Sequence, residues 1–138
     1  MNRSVRLMLF AVAAVCLVGC TTAGMSGVSG DWQLTRLRLG GVDQTVVPGT
    51  TLTVSPGGAA SGSGGVNRYT VSFAIASDGS ITWSDDFAST KMMGYGPLGD
   101  QERRYFMALT ATGTAALSNG QLELRSRDGQ TMLGFTRP

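Results

Sequence analysis

The stretch TAALSNGQLELRSRDGQTMLGFT, residues 114–136, carries two turn pairs at the spacing of short strands: Asn119-Gly120 and Asp128-Gly129. Asn-Gly and Asp-Gly both suit the positive φ angles of type I′ turns, so the stretch reads as two consecutive hairpins, 114–118 to 121–126 to 131–136. Leu122 and Leu124 then share one face of the middle strand. The segment just upstream differs. In DQERRYFMALTA, residues 100–111, Tyr105, Phe106 and Leu109 fall at helical spacing. Asp100 is the expected N-cap, and Glu102 favours the positive end of the helix dipole.

Further upstream the chain reads as strands again. Residues 68–76 alternate Tyr69, Val71, Phe73 and Ile75 with Arg68, Thr70, Ser72 and Ala74. Asp78-Gly79 turns this run into residues 80–84, with Ile81 and Trp83 inward. Residues 50–55 alternate after the turn pair Pro48-Gly49. In residues 31–39, Trp32 and Leu34 have one parity and Leu37 and Leu39 the other, so a bulge near Thr35-Arg36 is needed to bring both pairs to one face. The glycine-rich run 57–65 suits a strand or a close-packed crossing as well as a linker. The expected fold is α+β: a curved antiparallel sheet or half-barrel with one helix packed against it. Its core is expected from Trp32, Leu34, Tyr69, Val71, Phe73, Ile81, Trp83, Phe106, Leu109, Leu122, Leu124 and Phe135.

The first residues have another purpose. Arg3 and Arg6 precede an apolar run, Leu7 to Val18. It is shorter than the ~20 residues of a spanning helix. Leu17-Val18-Gly19-Cys20 follows, which looks like the lipobox of a bacterial lipoprotein signal. Residues 1–19 are expected to be removed, Cys20 to carry the lipid, residues 20–29 to form a flexible tether, and residues 30–138 to form the domain. Cys20 would hold the protein on the membrane. Thr21, where an aspartate would oppose it, is compatible with sorting to the outer membrane, facing the periplasm.

Removing the signal changes the charge. The full chain has 11 basic and 9 acidic residues and a net charge of +2. Loss of Arg3 and Arg6 leaves it formally neutral, so nothing favours nucleic acid as a partner. The chain has no histidine, and its cysteines are Cys16 and Cys20. Ser-His-Asp and Cys-His catalysis and a Cys/His zinc site are therefore excluded from the domain. Gly62-Ser63-Gly64-Gly65-Val66-Asn67 lacks the endings of a phosphate loop and reads as a tight backbone passage. Asp85-Asp86 reads as a solvated turn, because adjacent strand residues face opposite ways. No catalytic residue, cofactor or metal site is expected. Trp32, Trp83, Tyr69 and Phe73 suit a core more than a ligand cavity. Met92, Met93 and Tyr95 suit either an adaptable partner surface or a core edge followed by a loop.

Five of these features together resemble the META domain family of HslJ-like bacterial lipoproteins. Gly30-Asp31-Trp32-Gln33-Leu34 is similar to its Gly-x-Trp-x-Leu opening, and residues 61–69 (SGSGGVNRY) to its Gly-x-Gly-Gly-Cys-Asn-x-Tyr signature. Thr90-Lys91-Met92-Met93-Gly94 is similar to its Thr-Arg/Lys-Met-Ala-Cys segment. Asp100-Gln101-Glu102 with Phe106 and Leu109 is similar to the family helix, and residues 121–135 to its terminal strands. The resemblance implies an envelope domain linked to stress tolerance, motility or secretion, with no established catalytic residues. It also implies that Val66 and Gly94 replace a cysteine pair and lie close together.

The expected function is that of a non-enzymatic outer-membrane lipoprotein binding a protein partner or an apolar ligand. The alternatives are a small lipocalin-like carrier, suggested by Gly30-x-Trp32, and an envelope hydrolase inhibitor. A continuous apolar cavity would favour the carrier, and an exposed apolar patch without a cavity the partner. Clustered carboxylates in a cleft would favour an enzyme.

Overall fold

A computed structural model describes residues 21–22 and 25–138. The expected signal segment and Cys20 lie outside the described residues. The two C-terminal hairpins join β9 (Thr114–Ser118), β10 (Gln121–Arg125) and β11 (Met132–Thr136). Asn119 and Gly120 have φ of 52° and 74°, as a type I′ turn requires. The second turn differs from expectation: of the pair, only Gly129 has positive φ. Asp128 instead accepts from Gln130 N and Ser126 Oγ, an arrangement that holds a longer loop.

β11 pairs on its other edge with β2 (Gly30–Leu39). There the register shifts: Phe135 faces Leu34 and Gly134 faces Arg36, so Thr35 is an extra residue. This is the expected bulge, and it buries Trp32, Leu34 and Leu37 together. From β2 the sheet continues through β4 (Thr51–Val54), β5 (Ala59–Ser63), β6 (Arg68–Ile75) and β7 (Ile81–Trp83). The glycine-rich run is thus a strand. Short β3 (Val42–Gln44) pairs with β2, and β8 (Ala88–Ser89) with β6. The ends meet at a bridge between Ser80 and Thr114, flanked by Ile81 N–Gly113 O and Ala115 N–Gly79 O bonds of 2.8 Å. The result is a nearly closed antiparallel barrel.

α2 (Gly96–Leu109) packs against this sheet. It starts a turn earlier than expected. Tyr95, not Asp100, is the N-cap residue, with extended φ and ψ, and Pro97 occupies the first turn. Asp100 instead pairs with Arg103 on the exposed helix surface. Ten of the twelve expected core residues are buried, while Trp83 and Phe106 are half-buried. Phe106 lies edge-on to Phe87 at 5.1 Å, and Tyr105 takes the inward position. Trp83 sits on the end strand β7 and donates from Nε1 to Thr112 O at 2.9 Å.

The folded unit also takes in part of the expected tether. Thr21–Thr22 (β1) pairs with β9, and Met25–Val28 forms a helical turn, α1. Val28 is buried, and its carbonyl accepts from Trp32 Nε1 at 2.7 Å. Arg137 closes the arrangement. Its guanidinium lies 3.8 Å from the Trp32 ring centroid and donates to the Ser29 and Gly27 carbonyls. No described helix is long and apolar enough to cross a membrane.

Candidate functional site

Glu102, midway along α2, organises the contacts of the helix with two other segments. It is expected as a helix-start residue favoured by the helix dipole; it is in fact buried. Its Oε1 accepts from the backbone N–H groups of Val66 and Asn67, and its Oε2 accepts from Asn67 Nδ2 at 2.8 Å. Asn67 carries the connection onward. Its Oδ1 accepts from Met92 N at 2.7 Å and Thr90 Oγ1 at 2.9 Å, and its Nδ2 also donates to Met92 O at 3.0 Å. One carboxylate and one amide therefore join α2, the loop before β6 and the segment that holds Met92. Such charge-assisted bonds are stronger than neutral ones.

Two close approaches make this join possible. A Cβ on Gly64 would stand 2.6 Å from Phe106 Cε1 and 2.7 Å from Glu102 Cγ. A Cβ on Gly99 would stand 2.5 Å from Gly94 O. The helix lies flush on backbone at both places, which glycine alone permits. Val66 and Gly94 meet in the same region. An ideal Cβ on Gly94 would be 3.1 Å from Val66 Cβ, and Gly94 has no positive φ. The implied proximity is met. Val66→Cys with Gly94→Cys is expected to form a disulfide on mild oxidation and to stabilise by ~2–4 kcal/mol after slight spreading toward the usual Cβ spacing. Thiol titration with and without reductant checks this; two free thiols after oxidation would contradict it.

Above the join the chain turns outward. Met92, Met93 and Tyr95 are 61%, 79% and 81% exposed. They are not a core edge. With Gly94, Asp100 and Arg103 they line an open groove of about 500 Å³ whose floor includes Glu102. Tyr95 donates its hydroxyl toward Met93 Sδ at 3.8 Å. Met107 is 70% exposed, one helical turn beyond Arg103.

Among the described residues, the apolar site inside the barrel is far smaller. Between Val28, Leu52, Phe73, Ile81, Trp83 and Leu124 it holds about 10 Å³, while ligand pockets run to ~300 Å³ or more. This space, lined in part by Phe73 and Trp83, is not the continuous apolar cavity that would favour a lipocalin-like carrier. Asp86 accepts from Ser72 N and Oγ, which holds its carboxyl below the usual range, and so ties a loop to β6. Among the described residues, no three of His, Cys, Asp and Glu converge as metal ligands would.

Reading from the sequence missed Asn67 and the inward role of Glu102. A signal was present: Glu102, Tyr105 and Leu109 fall at i, i+3 and i+7, which puts the carboxylate on the buried stripe of the helix. A carboxylate there requires hydrogen-bond donors.

The model of the META domain matches residues 26–138. No curated protein matches the chain. A solved structure of a protein from Burkholderia xenovorans is similar, at 26% identity and a TM-score of 0.67, covering 83% of this chain and 86% of that one. A DUF4847 family protein from Bacteroides vulgatus shares the fold, at 12% identity and a TM-score of 0.56, covering 80% of this chain and 93% of that one.

Proposed function

We propose, from the premise that this chain belongs to the META domain family, that it is a non-enzymatic lipoprotein of the outer membrane, facing the periplasm, that docks an envelope protein through Met92, Met93 and Tyr95. The observation that carries the docking is an exposed apolar lip on a held backbone, over a barrel whose apolar interior site holds only about 10 Å³. Methionine adapts its shape to a partner, and tyrosine supplies a rigid anchor. The Asn67 bonds to both backbone groups of Met92 reduce the ordering cost of binding at that residue. The anchor rests on the lipobox ending at Cys20. The role follows as attachment of a partner in envelope stress tolerance or secretion.

The test places the photocrosslinking amino acid benzoylphenylalanine at Tyr95 in cells, with the same group at exposed Thr53 on β4 as control. One discrete adduct is expected from position 95 and not from position 53. Met93→Asp should lower it by about tenfold or more, as for a central interface residue. Equal adducts from both positions, or none from either, would sink the docking reading. Cys20→Ala is expected to leave an unprocessed precursor without fatty-acid label.

A further inference from the structure

The lip carries two of the three exposed methionines among the described residues; Met107, outside it on α2, is the third. No cysteine or histidine occurs after Cys20, so no thiol competes for oxidant. Trp32 is buried. Met92 and Met93 present their side chains to solvent, as Met107 does, whereas Met132 is only 2% exposed. Three consequences of oxidation can be read from the geometry. Neither sulfur belongs to the core, so the barrel loses no packing. The Met92 backbone stays held by Asn67 whatever the sulfur carries. The Tyr95 hydroxyl, already directed at Met93 Sδ, gains a sulfoxide oxygen as a stronger acceptor beside it.

We propose that Met92 and Met93 form an oxidation site for hypohalous acids, which converts the lip from apolar to polar without unfolding the domain. Thioether and hypohalous acid give sulfoxide, halide and a proton. An S–O bond forms as the O–halogen bond breaks, sulfur loses two electrons, and the halogen gains them. Methionine sulfoxide reductases reverse the change. As a modification site this stands on exposure alone; as a switch of docking it rests on the partner reading above.

The lipidated protein carrying Met107→Leu, which removes the exposed methionine outside the lip, is treated with limiting hypochlorous acid and digested with trypsin. Cleavage after Lys91 and Arg103 puts Met92 and Met93 in one peptide, apart from Met132. That peptide is expected to oxidise at least about tenfold faster than the Met132 peptide, with Tm lowered by less than about 2 °C. Equal rates, or loss of the folding transition, would overturn the site. The Tyr95 photocrosslink supplies the second arm. Oxidation before illumination should lower the adduct about tenfold, and treatment with reductases for both sulfoxide epimers should restore it. An adduct unchanged by oxidation overturns the switch and leaves docking intact. Absence of an adduct from the untreated protein overturns docking, and the switch with it, while the peptide rates still decide the oxidation site.

Discussion

Tyr105→Ala is expected to lower the unfolding free energy by about 3–5 kcal/mol, and Tyr105→Phe by only about 1 kcal/mol. Tyr105 is fully buried. Its ring stands 5.6 Å from Tyr69 and 6.3 Å from Phe135, both edge-on, so truncation opens a cavity between helix and barrel. The hydroxyl has a smaller part. It lies 2.6 Å from the Tyr69 hydroxyl, which reaches Thr51 O at 2.8 Å. Burial raises the pKa of both phenols, so the pair stays neutral across ordinary pH. Losing one hydroxyl breaks one bond and leaves the packing. Urea unfolding followed by tryptophan fluorescence measures both variants. Equal losses in the two would show that the hydrogen bond, not the ring, holds α2 in place.

Glu102→Ala is expected to cost about 4 kcal/mol and to loosen the lip. The substitution strips an acceptor from Val66 N, Asn67 N and Asn67 Nδ2 together, at ~1–3 kcal/mol for each donor left buried. Glu102→Gln should cost less, because its amide oxygen can still serve the two backbone donors while its NH₂ opposes Asn67 Nδ2. Hydrogen exchange gives the local readout. The Met92 amide, held by Asn67 Oδ1, should exchange faster in Glu102→Ala than in the parent protein by tenfold or more. Unchanged protection at Met92 would show that Asn67 is positioned without the carboxylate. That outcome would separate the stability of the domain from the preorganisation of its lip.

These two residues also mark where sequence reading stops. Tyr105 and Phe106 are neighbours with similar periodicity, and pattern alone did not tell which ring goes inward. The choice depends on tertiary contacts: Gly64 leaves room for Phe106 and Glu102 beside its backbone, while Tyr105 meets Tyr69 and Phe135. The strands were more legible. Alternation in residues 68–75 and the parity change in residues 31–39 are local consequences of one buried face, and the bulge at Thr35 follows from them. Short β3 and β8 left no such pattern, since a few residues cannot display a period. Met92, Met93 and Tyr95 were legible as residue types suited to a surface. Their exposure was not, because it depends on how Asn67 turns the segment outward.

The position of β11 sets the order in which the molecule can be assembled. This last strand lies between β10 and β2, so one edge of residues 33–38 finds its partners in residues 132–136, while the other edge pairs with β3 and β4. A ribosome delivers those partners almost a whole domain apart in time. Until Met132 emerges, β2 has one edge open and the barrel cannot close, whatever the earlier hairpins have done. Folding is thus gated by arrival of the C-terminal strand, and loop closure over that distance makes the docking of β11 a slow contact. A chain of this design closes its barrel only when residues 132–136 insert between two strands that lie far apart in sequence.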